Sequence, residues 1–393
     1  MKEKLKIAIL FGERSLEHEI SVLTAMQVME ALDPVKYESI LVYVDQKGAW
    51  YTGEALYDKQ FYLRYPASLK EVEAVTCSLK PGRSGLICQR KGLFGQVKEH
   101  FLPVDLFFLA FHGAYGEDGR LQALFEMADV PYASSNLLSS AMMMNKHVTK
   151  VFLKEHGIEV LPGERVLKSD LQSHFKETVD GLMSKMDFPL FVKPNRLGSS
   201  IGIGKATDKE SLEEALLSAA SIDYEVLVEP CLEHFLEINI SILDGKEPMA
   251  SVVEIPKGND AGILTYEDKY LKGGKKGGKR GGMASLARAI NPDSLSPEIK
   301  AAVKERALKI FSLLGCSGIV RLDFMLDLAT DHLLFNEVNP IPGSLAFYLW
   351  QESEPELLMT EVLDRMIESA LKKREKYFEE WPISEWQALK SLV

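Results

Sequence analysis

Cysteine is scarce in this chain: four residues (Cys77, Cys88, Cys231, Cys316) among 393, with no CxxC pair and no Cys/His ligand spacing. That scarcity excludes a disulfide scaffold or a zinc ribbon and fits free thiols in a reducing cytoplasm. Long apolar runs are missing too. No stretch approaches the roughly 20 apolar residues of a membrane span. The opening "KIAIL" run is cut short by "FGERSLEHE", so it reads as a first strand rather than a signal peptide. Positive charge is in deficit, 46 Lys+Arg against 57 Asp+Glu for a net charge of -11, which argues against a global binder of nucleic acid or anionic membrane. No convincing Ser/His or Cys/His nucleophile set is found either. What remains is an ordinary globular composition, 46% hydrophobic and 26% charged, in a chain long enough for two or three lobes.

Strand-like and helix-like runs alternate in the first third. "KIAILFG", "YESILVYV" and "VDLFFLAFHG" read as strands, the last apolar on both faces as central parallel strands are. "EISVLTAMQVMEAL" carries Ile20, Leu23, Met26, Val28, Met29 and Leu32 at helical spacing, and "GRLQALFEMA" is a second helix. This rhythm predicts an α/β domain on an open parallel sheet, with about residues 47–102 as an elaboration turning at "KPGRSG" and "RKGLFGQ". From about Asn136 the pattern becomes α+β. "EINISIL" and "KEPMASVVEI" flank an Asp-Gly hairpin turn. "SPEIKAAVKERALKIFSLL" is a helix with Ser296 as N-cap and Gly315 as its stop. "GIVRLDFMLD" and "HLLFNEVNP" form a second hairpin, and a helix from about Pro355 to Lys373 follows.

The second hairpin carries the most informative chemistry. Period-2 geometry puts Glu337 and Asn339 on one strand face, and a turn near Thr330 sets Asp323 across from Glu337, beside Arg321. Three oxygen-bearing groups next to one cation suit Mg²⁺ or Mn²⁺ completed by phosphates; a buried Arg–Asp pair with a turn-capping asparagine is the bland alternative. In "FVKPNRLGSSIGIGK", Lys193 ends an apolar strand before a glycine loop whose amides can face a phosphate, or which is a plain turn. It is not a Walker A motif, since Ala206 follows Lys205. Glu229 ends a strand and Glu237 lies eight residues on, a pattern open to a base and a ribose. "KGGKKGGKRGG", Lys272 to Gly282, holds five cations and six glycines and reads as a solvated linker or a basic lid over a polyphosphate, with a nucleic-acid tether the least favoured reading in so acidic a chain. Ser15, Glu17 and His18, and later His112, Glu117 and Asp118, sit after strands of the first sheet, where open sheets bind ligands; a catalytic His–acid pair is one reading, and polar side chains ordering glycine-rich loops is the favoured one.

In order along the chain, "LFGERSLEHEIS", "FHGAYGEDGRLQALFEMADVPYASS", "MMMNK", "FVKPNRLGSSIGI", "YEDKYL", "GIVRLDFML" and "FNEVNPIPG" together resemble the D-alanine–D-alanine ligase family of the ATP-grasp superfamily. The resemblance implies an N-terminal pre-ATP-grasp domain (1–135), a central ATP-grasp lobe (136–228) and a C-terminal lobe with the metal site (229–393). It implies a cytoplasmic enzyme that joins two D-alanines with ATP for peptidoglycan and cell shape, commonly a homodimer through its N-terminal region, with small-molecule substrates and no nucleic-acid or membrane partner. Lys146 and Lys193 would hold ATP phosphates, helped by Ser200, with Glu229 at the adenine, Glu237 at the ribose and Lys269 at the γ-phosphate. Asp323, Glu337 and Asn339 would bind two Mg²⁺ or Mn²⁺. Glu17 would take the first ammonium, tied to Ser199 and Tyr270. Arg321 and the Gly343 amide would steady the oxyanion, and Ser344 and Leu345 would meet the second substrate.

The chain departs from the family pattern at Glu13, at Asn145, in the lysine–glycine stretch, and after Gly343, where Ser344 follows at once instead of after several residues. The last departure motivates an alternative, a ligase joining D-alanine to D-serine, D-lactate or another amino acid, although Tyr270 favours dipeptide over depsipeptide formation. A non-catalytic nucleotide binder is a third reading, disfavoured because Arg321 and all the metal-ligand residues are present.

Overall fold

The structure, a computed structural model, describes residues 3–91, 96–198, 201–256 and 288–377. Three sheets organise them. In the N-terminal sheet the central strand Leu5–Gly12 pairs in parallel with Tyr37–Val44 and with Leu106–Leu109, and the latter with Tyr132–Ala133. Ile7 to Phe11 and Leu106 to Leu109 are buried on both faces, as their unbroken apolar runs predict. The sheet is mixed rather than parallel throughout. Trp50–Thr52, Glu73–Cys77, Gly85–Lys91 and Val97–Pro103 extend it antiparallel to eight strands. These are the residues whose sequence reads as irregular. Val97–Pro103 is exposed along most of its length, so no buried face imposes a period on it.

The middle sheet is four-stranded and antiparallel throughout, in the order Gly204–Ala206, Leu190–Pro194, Glu225–Pro230, Glu164–Leu167. The helix Lys209–Ile222 covers it, started by a capping box between Asp208 and Ser211. The third sheet runs Arg288–Ile290, Met249–Pro256, Phe235–Leu243, Ile319–Asp327, Leu333–Asn339, and contains both expected hairpins. Alternation sorts its two faces. Ile238, Ile240, Val320, Leu322 and Phe324 form a core with the helix Pro297–Leu313, which starts at Ser296 and is followed by Gly315 at φ +63°. Glu237, Asn239, Arg321 and Asp323 fall on the other face.

The helix Met359–Tyr377 returns to the N-terminal sheet. Val362, Leu363, Met366 and Ile367 share one core cluster with Ile7 to Phe11. Thr360 Oγ1 donates to Ala31 O at 2.8 Å, and Lys36 pairs with Asp364 at 2.5 Å. Among the described residues no helix is long and apolar enough to cross a membrane.

Candidate active site

On the polar face of the C-terminal sheet, Asp323 is the register partner of Glu337 and Arg321 that of Asn339. Arg321 grips Asp323 with two nitrogens, Nε to Oδ1 at 2.7 Å and Nη2 to Oδ2 at 2.8 Å, and Asn339 Nδ2 donates to Asp323 Oδ2 at 3.0 Å. Burial opposes the Arg321 charge, but the Asp323 carboxylate overrides it and holds the guanidinium protonated. The hairpin is not regular. Phe324 pairs with Phe335 while Asp323 pairs with Glu337, so Asn336 is an extra residue in a bulge. Asn336 and Glu337 both reach lysines: Lys193 Nζ donates to Asn336 Oδ1 at 3.3 Å, and Lys146 Nζ lies 3.2 Å from Glu337 Oε2. One strand over, Asn239 is the partner of Asp323, and its buried Oδ1 has no hydrogen-bond partner among the described residues. Two carboxylates, Asp323 and Glu337, and two amides, Asn339 and Asn239, on one face are the hard donor set a divalent cation takes.

The lysines arrive from two other elements. Lys146 opens the helix Lys146–Glu155, where Asn145 is the N-cap accepting from Val148 N; its ammonium also donates to Leu197 O at 2.7 Å. Lys150, one turn on, and Lys193, near the end of Leu190–Pro194, both ion-pair with the buried Glu229, the latter at 2.6 Å. Glu229 lies below the usual carboxylate range, since its two ammonium neighbours outweigh burial. Burial and repulsion from Lys193 push Lys150 down to about 8, while Lys193 is held above its ordinary value because Glu229 and Glu337 outweigh its burial. Three ammonium groups, Lys146, Lys150 and Lys193, thus share two carboxylates, Glu229 and Glu337, an arrangement that suits an anionic polyphosphate.

The N-terminal sheet supplies the third wall. Glu17 is buried just before the helix His18–Ala31, with its amide donating to Ser15 Oγ at 3.0 Å. A side chain added at Gly113 would meet Glu17 Oε2 at 2.7 Å, and one at Gly198 would meet it at 3.4 Å. Gly198, at the end of the described stretch after Leu190–Pro194, therefore lies against the carboxylate. Glu117 and His112 are buried. Burial and then Glu17 push Glu117 up to about 8, and burial brings His112 down to about 4.

The structure brings together Glu17, Lys146, Lys193, Glu229, Arg321, Asp323, Glu337 and Asn339, with Gly343, Ser344 and Leu345 in the turn that follows. Ser344 and Leu345 are buried, and Ser344, Leu345 and Ala346 adopt successive left-handed φ values of 49°, 53° and 47°. Glu237 lies on the same sheet face, opposite Met325. Ser199, Ser200, Lys269, Tyr270 and the 272–282 stretch lie outside the described residues. Sequence reasoning missed Lys150 and Asn336, and it missed a cluster beside Arg321, in which Glu254 pairs with Arg288 at 2.9 Å and accepts from Tyr348 Oη at 2.9 Å. The i,i+4 spacing of Lys146 and Lys150 was the available signal for the first. Glu73, Cys88 and His100 form a further grouping with ligand atoms within 4.8 Å of one another, but on the antiparallel extension of the N-terminal sheet.

Comparison with known proteins agrees along the whole chain. The model described as "D-ala D-ala ligase N-terminus" matches residues 6–135 and "D-ala D-ala ligase C-terminus" matches 152–368. A D-alanine–D-alanine ligase of Thermosipho melanesiensis is 36% identical over 94% of this chain and 94% of its own, and one of Chlorobium phaeovibrioides 32% identical over 94% and 98%. Among solved structures, the VanG D-Ala:D-Ser ligase of Enterococcus faecalis superposes with a TM-score of 0.73 at 28% identity, covering 94% of this chain and 100% of that one. The D-alanine–D-alanine ligase of Coxiella burnetii shares the fold at a TM-score of 0.76 and 24% identity, covering 100% of both chains.

Proposed function

The chain belongs to the D-alanine–D-alanine ligase family, and from that premise we propose that it joins two D-alanine molecules with ATP, for peptidoglycan precursors, in the cytoplasm. A carboxylate resists attack by an amine, so the first D-alanine is activated by phosphoryl transfer to an acyl phosphate, which the amine of the second displaces. Bound Mg²⁺ or Mn²⁺ would neutralise charge on the transferring phosphoryl group; Asp323, Glu337 and Asn339 would hold it. Lys146 and Lys193 would bind the phosphates, with Glu229 fixing Lys193 and Lys150 by ion pairs. Glu17 orients the first ammonium between Gly113 and Gly198. Arg321, kept charged by Asp323, faces the developing oxyanion with the Gly343 amide. A homodimer through the N-terminal region is the assembly we expect of such a ligase.

The observation that carries this reading is the cross-strand set Arg321–Asp323–Glu337–Asn339 with Lys146 on Glu337. The test is phosphate release by purified protein with Mg²⁺, ATP and D-alanine, with the product identified by mass. D-Alanyl-D-alanine is expected, with a loss of roughly 100-fold or more in Glu337→Gln. Phosphate release that requires another amino acid would replace the second substrate, and none with any amino acid would sink the ligase reading.

A further inference from the structure

The turn Gly343–Ala346 holds three consecutive non-glycine residues in the left-handed region. Such a stretch persists only where its surroundings over-determine it. Inside the turn, Leu345 N donates to Pro342 O at 2.8 Å, and at its exit Leu345 and Trp350 are fully buried. Its entrance is fixed from a different part of the molecule. Ile341 N donates to Glu117 Oε1 at 2.8 Å, and Ile341 O faces His112 Nδ1 at 3.0 Å. A carbonyl only accepts, so His112 carries its proton on Nδ1; its Nε2 then accepts from Thr24 Oγ1 at 2.7 Å. Glu117 is fixed in turn by Gly113 N, which donates to Oε2 at 2.5 Å, and His112 O accepts from Ser15 Oγ at 2.7 Å.

We propose that Glu117 and His112 are positioning residues that grip Ile341 by its N–H and its C=O and so hold the strained turn in the shape that receives the second substrate. Neither side chain is spare for substrate: each polar atom of both already has a partner within the fold. The same loop carries Gly113, against which Glu17 lies, so one rigid segment references the pockets of both substrates to each other. That juxtaposition is what attack of one bound amino acid on another demands, since reacting atoms must be set within a fraction of an ångström. The inference rests on the proposed function for its kinetic arm and on geometry alone for its structural arm.

The experiment compares wild type with Glu117→Gln, His112→Asn and His112→Gln. Asparagine places its amide nitrogen where Nδ1 was and keeps the donor to Ile341 O, whereas glutamine mimics Nε2 and loses it. Glu117→Gln is expected to raise the weaker of the two D-alanine KM values about tenfold or more with the KM for ATP within twofold of wild type. His112→Asn is expected to retain second-substrate binding better than the larger His112→Gln. Hydrogen exchange of a peptide covering 338–349 should quicken in Glu117→Gln and His112→Gln and change less in His112→Asn. Equal changes in all KM values, a better His112→Gln than His112→Asn, or unaltered exchange at 338–349 would each overturn the grip. If wild type makes no dipeptide, the functional reading fails while the exchange measurement still decides the grip.

Discussion

His112 and Glu117 are neighbours in the fold whose burial acts on opposite charge states. An unfolded histidine takes a proton near 6.5, but His112 resists until about 4 because burial disfavours the cation. The unfolded chain therefore binds more protons across that window, and His112 withdraws stability as pH falls from 6.5 to about 4. The gap corresponds to on the order of 3 kcal/mol at most. Glu117 keeps its proton up to about 8 against an ordinary value of 4.5, so it withdraws stability as pH rises through that window. Replacing either residue with an uncharged amide removes its own penalty. His112→Asn should move the pH of maximum stability to lower values, and Glu117→Gln should move it to higher values. Urea midpoints measured from pH 4 to 9 give the check; shifts of the same sign would show that the two groups do not titrate as their burial dictates.

At the level of elements, the hairpin of Ile319–Asp327 and Leu333–Asn339 is the part the sequence reports best, because Asp323 opposite Glu337 follows from period 2 and one turn position. Its bulge is what period 2 hides. Strict alternation along "LLFNEVN" puts Phe335 on the face of Glu337 and Asn339, yet Phe335 is buried against Phe324 in the core on the other side. The extra residue resolves that conflict and lets adjacent side chains, Asn336 and Glu337, reach two different lysines. The strands between Trp50 and Pro103 were illegible for a different reason: Trp50–Thr52 is only three residues long, Val97–Pro103 is largely solvated, and the core reaches the strands between them at only a few positions, Val75, Leu86 and Cys88, too few to write a period. The Glu254–Arg288–Tyr348 cluster was hidden because its members come from three separate segments. Asn336 offers the sharper test. Asn336→Ala removes a 3.3 Å contact to Lys193 while leaving the strand pairing intact. A loss of about 1 kcal/mol is expected, seen as a KM for ATP raised about fivefold with both D-alanine values unchanged. A rise in D-alanine KM instead would mean that the bulge positions the amino acids rather than the nucleotide.

Across the whole molecule, sequence order and core membership disagree. The middle sheet has a hydrophobic cluster of its own, built from residues Val166 to Val228. The core under the N-terminal sheet is instead completed by distant residues: Ile341, Leu345, Trp350 and the buried side of Met359–Tyr377. Lys373 adds an ion pair to Asp244 at 2.6 Å, binding that helix to the C-terminal sheet as well. The Gly343–Ala346 turn, the proposed seat of the second substrate, thus lies in the seam where this shared core meets the polar face of the C-terminal sheet, and disturbing the helix should be felt there. Ile367 is fully buried in this shared cluster. Ile367→Ala leaves a cavity and should cost about 2–5 kcal/mol. Because the cluster is shared, the loss should appear as faster hydrogen exchange both in Leu5–Gly12 and in the 338–349 turn. The middle-sheet strand Leu190–Pro194, packed in its separate cluster, should keep its protection, as cooperative units open independently. Uniform loss of protection over all three regions would mean that the chain unfolds as one unit and that the shared core has no boundary at the middle sheet.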